Sequence, residues 1–210
     1  GSYKLLSLDG AYGNALGEFQ LSIPRKVEDE DDLGRISVVV ALDNGDVKYK
    51  NFLIPYTLDE GLLNWLDNNI QQGMVKKGNF IYHGPLSSPT QEMKVVQLWL
   101  DVEQGHISYA EGFPPVTNVA GEFLLDQTDA VATVTRANIL SLSVHDAGVK
   151  LSIGEEQRVI NVQGRLERAP SETVIAFLHS KAMQKLTANV LNGWQSPQGF
   201  ADARINVHVP

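Results

Sequence analysis

Two hydrophobic periods alternate along this chain. Most of it places apolar residues at every second position, as strands do when one face turns toward a core. In two places the period lengthens to that of a helix. The clearest switch lies in residues 56–85, YTLDEGLLNWLDNNIQQGMVKKGNFIYHGP. Thr57 and Glu60 stand there at capping-box spacing, with Thr57 the expected N-cap. Leu58, Leu62, Trp65, Leu66 and Ile70 share one helical face, and Gly73 is the expected stop. From Gly78 the period is two. Phe80 and Tyr82 point one way, Asn79, Ile81 and His83 the other.

The same alternation predicts strands at residues 3–9, 17–23 and 35–42. Asp43-Asn44-Gly45-Asp46 reads as a hairpin turn that returns through residues 47–54. Residues 92–102 form a two-faced strand. Val96, Leu98, Leu100 and Val102 lie on one side, and Met93, Val95 and Trp99 on the other with Gln97 and Asp101. Gln104-Gly105 is expected to turn the chain, residues 106–110 to return, and Gly112-Phe113-Pro114-Pro115 to form a corner. Residues 121–126, 130–137, 139–146, 149–153 and 158–167 follow as strands spaced closely enough for an antiparallel meander. A second helix opens at Pro170 and Ser171, with Val174, Phe177, Leu178, Ala182 and Leu186 on its apolar face. Gly199 begins a last strand through Ala201, Ala203, Ile205, Val207 and Val209. A pattern of glycine, alternating strand and proline recurs at 17–24, 78–85 and 199–210, without a constant period. The fold class is mainly β: an antiparallel sheet with two amphipathic helices.

Composition narrows the chemistry. With 210 residues and 43% hydrophobic content, the chain can bury a core as one large β domain or two small ones. A net charge of -8, with no basic cluster, argues against nucleic acid as a partner. The absence of cysteine excludes disulfides, thiolate catalysis and cysteine-bound zinc. No apolar run is long enough to span a bilayer, and no signal peptide is evident. Gly1-Ser2 reads as an expression scar and a strand is expected to begin at once at Tyr3, so the expectation is a fragment cut from a longer protein. The run Glu28, Asp29, Glu30, Asp31 and Asp32 lacks the alternating ligands and internal glycine of a calcium loop, and reads as a solvated loop.

Candidate catalysts are few. His83, His106, His145, His179 and His208 sit in different elements, none at metal-ligand spacing. There is no nucleophile elbow and no phosphate loop. Asp101 and Glu103 are the best local carboxylate pair, and a strand end beside a turn explains them equally well. No cofactor, metal or catalytic residue is expected. The two-faced strand at 92–102 is more informative. A sheet with helices on one side leaves a second apolar face, so it either closes into a sandwich or barrel or curls into a trough that carries an apolar ligand.

The segments LLNWLDNNIQQGMVKKGNFIYHGPL and VVQLWLDVEQGHISYAEGFPPVTNVAGEF, in that order, resemble AsmA-like proteins of YhdP type. The matching residues are Trp65, Leu66, Gly73, Val75, Gly78, Gly84, Gly105, Tyr109, Ala110, Pro114 and Pro115, with Phe113 where tryptophan is usual. The helix at 171–186, a glycine-rich break and a strand ending Val-x-Val-Pro continue the family order, so the resemblance covers residues 52–210. It implies a segment of a long periplasmic protein of Gram-negative bacteria, anchored in the inner membrane by an N-terminal helix. It also implies a curved antiparallel sheet with an open groove, of the bridge-like kind that moves phospholipid toward the outer membrane. Residues 1–55 would be a preceding β unit and 56–210 a helix-plus-groove unit. The partners would be phospholipid acyl chains and neighbouring units of the same chain. Phe80, Tyr82, Leu98, Leu100, Leu142, Val144, Ile160 and Val162 are the expected lipid-facing residues, although a register slip of one residue would reverse the face. Two rivals remain. One is a closed β scaffold for protein contacts in the envelope; the other is a glycan-active enzyme with two carboxylates across a cleft.

Overall fold

A computed structural model describes residues 2–8, 13–23, 34–50, 60–86, 94–109, 112–153, 158–186, 193 and 198–209. Ten strands form one sheet: β1 (Ser2–Leu8), β2 (Asn14–Ser22), β3 (Arg35–Asp46), β4 (Ile70–Pro85), β5 (Val95–Ile107), β6 (Val116–Asp126), β7 (Asp129–Ile139), β8 (Leu142–Ile153), β9 (Arg158–Pro170) and β10 (Phe200–Val209). Their order in the sheet is their order in sequence, and every pairing is antiparallel. β1 and β10 do not pair, so the sheet stays open. The ladder between β3 and β4 joins strands that lie on either side of residue 55 in the sequence. Three short helices occur among the described residues: α1 (Glu60–Asn69), α2 (Ser171–Leu178) and α3 (Lys181–Leu186). None is long and apolar enough to cross a membrane.

Several boundaries differ from the sequence expectation, for one physical reason. Asn44, Gln104 and Asp146 have φ of 55°, 55° and 49°, which fits the turns expected near them. Yet all three lie inside strands. Gln104 and Asp146 lie at bulges, where an extra residue leaves two successive side chains facing outward and the inward phase then resumes one residue later, and Asn44 adjoins the register shift between Val75 and Lys77 of β4. Hence β3 runs through Asp43-Asn44-Gly45-Asp46 rather than turning there, and it pairs with β4; residues 51–54 of the expected return lie outside the described residues. Val47–Tyr49 is a short 3-10 turn instead, capped by Asp46, whose Oδ1 accepts from the Lys48 N–H at 2.9 Å. Likewise β5 continues past Gln104-Gly105 to Ile107, and the strands expected at 139–146 and 149–153 are the single strand β8. β2 begins at Asn14, three residues before Gly17, because its pairing with β3 extends to Asp43.

The first helix also ends early. α1 stops at Asn69, and β4 starts at Ile70, so Gly73 (φ 151°) lies within the strand rather than closing the helix. The helix end is held from outside. The Lys50 ammonium donates to the Asp67 and Ile70 carbonyls at 3.1 and 2.8 Å, and the Ser108 N–H donates to the Asn69 carbonyl at 2.8 Å. Those carbonyls would otherwise lack intrahelical partners. The expected capping residue Thr57 lies outside the described residues. The second expected helix breaks at His179 and Ser180 into α2 and α3.

Paired outward residues mark the bulges on neighbouring strands: Asp43 and Asn44, Lys76 and Lys77, Thr135 and Arg136, His145 and Asp146. Together they form a line across the sheet. On one side of it lies a cluster of Val119, Ala137, Leu142, Val144, Leu166 and Ala169, against which Val174 and Phe177 of α2 pack. Leu142 is only 2% exposed. Leu142→Ala is expected to destabilise the chain by about 3 kcal/mol, seen as a lower urea midpoint, because a buried leucine leaves both lost transfer energy and a cavity. On the other side lies a second cluster, Phe80, Tyr82, Val96 and Leu125, which no helix covers among the described residues.

Candidate apolar binding trough

The second cluster is buried by the sheet itself. Phe80 and Tyr82 are each 6% exposed, whereas Val39 and Leu124 on the opposite face are 50% and 45% exposed. Two faces of a flat single layer would be wetted alike. The asymmetry therefore follows from curvature, which brings side chains together on the concave face and spreads them on the convex one.

Register carries the concave face across the whole sheet. Gly17, Val40, Phe80, Leu98, Leu125, Ala130 and Leu151 are successive partners from β2 to β8. The pairing continues to Leu5 at one edge and to Ile160 and Val209 at the other. A parallel row runs through Ala15, Leu42, Gly78, Leu100, Phe123, Ala132, Val149, Val162 and Val207. Both rows are apolar throughout. At about 4.8 Å per strand spacing, each row is roughly 40 Å long.

Neither row contains a charged residue; the charged position of the same phase is Arg158, at the start of β9 opposite Ile153, beyond the rows. The Tyr82 hydroxyl donates to the Pro85 carbonyl at 3.1 Å, and burial pushes its pKa above the usual tyrosine value, so it stays neutral. At this end Lys94, one residue before β5, stands beside Gly84 at the lip, and Arg35, opposite Pro85, lies near enough to Tyr82 to oppose the upward shift. A cleft of about 240 Å³ opens over β2 and β3, lined by Gly17, Glu18, Phe19, Ile36, Val38 and Val40.

The convex face is polar along much of its length. The Ser37 hydroxyl lies 2.6 Å from His83 Nδ1, Gln97 Nε2 donates to Asp126 at 3.0 Å, and His208 Nδ1 lies 2.7 Å from Asn161 Oδ1. Asp101 and Glu103 lie near this surface, where Glu103 pairs with Lys76 at 3.4 Å.

Phe80, Leu98, Leu100 and Val162 stand in the two rows, Tyr82 one step nearer the lip, and Ile160 joins by register. Leu142 and Val144 share the inward face but lie in the cluster packed by α2. The structure adds Val38, Val40, Phe123, Leu125 and Leu151 to the same surface. Their alternation is visible in the sequence, but only strand order and register place them beside the others.

Such an open, one-layer sheet, with apolar rows within and a polar surface without, defines a groove-forming β protein. A family model described as YhdP protein matches residues 8–210. The chain belongs to that family, which is AsmA-like and of lipid-transport type. No curated protein and no solved structure matches it significantly.

Proposed function

We propose that this chain is part of a periplasmic envelope protein whose trough holds phospholipid acyl tails on their way to the outer membrane. The carrying observation is the apolar row that crosses ten strands with no charge among its described residues. A tail laid in it leaves water, gaining about 0.8 kcal/mol per CH₂. The head group stays at the open side, where Lys94 stands at the lip. A row of roughly 40 Å exceeds the ~15 Å depth of one hydrocarbon leaflet, so a tail occupies only part of it. Because the lining is similar from strand to strand, neighbouring positions are close in energy and a tail can slide. No bond is made or broken. Anchoring of the full-length protein in the inner membrane, and continuation of the trough into neighbouring units, belong to the same reading.

Site-specific photocrosslinking in the full-length protein in cells tests it. Benzophenone at Val40, Leu98 and Val149 is expected to give phospholipid adducts. Gln97 and Lys150, on the other face, should give none. Leu142, shielded by α2, should give few. Absence of lipid adducts at every inward position would overturn the proposal.

One observation favours a second reading, in which the sheet serves as a scaffold. Trp99, Leu124 and Val131 are successive partners on the convex face, and Val39 and Ile81 are exposed nearby. Protein adducts at Leu124 and Val131, together with no lipid adducts inside, would select that role.

A further inference from the structure

We propose that the convex face at β9 and β10 binds a phosphate-bearing anion. This site is separate from the trough and does not depend on it. Arg136, His145, Arg165 and Arg204 are successive partners across β7, β8, β9 and β10, all exposed. Arg165 and Arg204 stand directly opposite one another. Like charges opposed across a ladder repel, and strands ordinarily avoid them. The chain as a whole carries -8, so this row runs against its average charge.

The nearby carboxylates leave much of the positive charge unanswered. Glu167 reaches Arg165 at 3.6 Å, and Asp202 accepts from the backbone N–H of Arg168 at 2.8 Å. The side chains of Arg136 and Arg204 have no ion-pair or hydrogen-bond partner among the described residues. The Arg168 guanidinium lies 5.3 Å from the centre of the Phe200 ring, which restricts its position. The bulge at Arg168, where φ is 47°, and the register shift between Ala201 and Ala203 open a depression of about 520 Å³ here. Arg165, Arg168 and Arg204 line it together with Glu167 and Asp202. Guanidinium forks suit phosphate oxygens, and converging forks select a multiply charged tetrahedral group over chloride. A free phosphate and the phosphate of a lipid head group share that chemistry.

Isothermal titration calorimetry at constant ionic strength tests the site with two probes, inorganic phosphate and dioctanoyl phosphatidylglycerol. Dioctanoylglycerol, which has no phosphate, reports the trough alone. At least one phosphate probe is expected to bind the wild type. Its affinity should fall at least tenfold in the double variant Arg165→Gln/Arg204→Gln and stay unchanged in Lys150→Gln. Binding of inorganic phosphate would identify a free-anion site, and binding of the lipid alone a head-group site. The double variant should melt no lower than wild type, since it removes repulsion, and this separates lost binding from lost folding. Failure of both phosphate probes to bind, or equal binding by the double variant, would overturn the proposal. Dioctanoylglycerol binding would be unaffected in either case, so the trough is judged separately.

Discussion

Glutamate in place of Leu98 is expected to stop lipid occupancy of the trough. Leu98 lies in the middle of the inward row, between Phe80 and Leu125. A carboxylate there meets no cation in either apolar row. A tail passing over it would strip water from an unpaired charge, at a cost of about 2 kcal/mol or more. Because the trough is a single path, one such position obstructs all of it. Phospholipid adducts at Val40 and Val149 should fall at least tenfold in Leu98→Glu, while Gln97→Glu on the other face leaves them unchanged. Leu98 is only half-buried, so the sheet should survive, as circular dichroism would check. Adducts at the wild-type level would show that lipid does not travel along this row.

The largest stability effect is expected at Gly121. This residue has φ of 157° and sits where β6 presses on β7. A Cβ built there would lie 2.1 Å from the Thr133 carbonyl oxygen and 2.8 Å from Val134 Cα. Both are backbone atoms, so no side-chain rotation relieves the contact. Gly121→Val should therefore cost about 3 kcal/mol or more, combining overpacking with backbone strain. Gly164→Ala offers the contrast. Its Cβ would meet Ala147 Cβ at 3.4 Å and Val144 Cγ1 at 3.5 Å, ordinary van der Waals distances. A penalty within about 1 kcal/mol is expected there. Urea denaturation of both variants checks the pair, and a near-native midpoint for Gly121→Val would contradict the described approach of β6 to β7.

Much of the sheet was legible because strand alternation is a local property. Phe80 and Tyr82 were assigned to one face and Asn79, Ile81 and His83 to the other from residue order alone, and that division holds. The same is true of Val96, Leu98, Leu100 and Val102 in β5. What failed was the distinction between a turn and a bulge. Asn44-Gly45 and Gln104-Gly105 supply the left-handed backbone that a hairpin needs, and a bulge needs it too. Local sequence cannot separate them, because the difference lies in whether a partner strand continues alongside. The helix boundary failed for a related reason. α1 ends where Lys50 and Ser108 take its carbonyls, and these come from outside the helix, one before it and one beyond β4. Of the expected lipid-facing residues, Phe80 and Leu98 stand in one row and Leu100 and Val162 in the other, Tyr82 lies one step nearer the lip, and Ile160 pairs with Leu151. Leu142 and Val144 lie beneath α2, and alternation carries no information about which strand ends a helix covers.

The agreement between strand order and chain order has a consequence for how the sheet is made. Each strand's partners are the strands made just before and just after it. None waits for a distant segment to arrive, so the entropy of closing long loops is largely avoided. A growing or newly exported chain can add strands one at a time to an existing edge. The freshest edge then stays open until the next strand arrives, which makes the order of emergence a form of protection for the sheet.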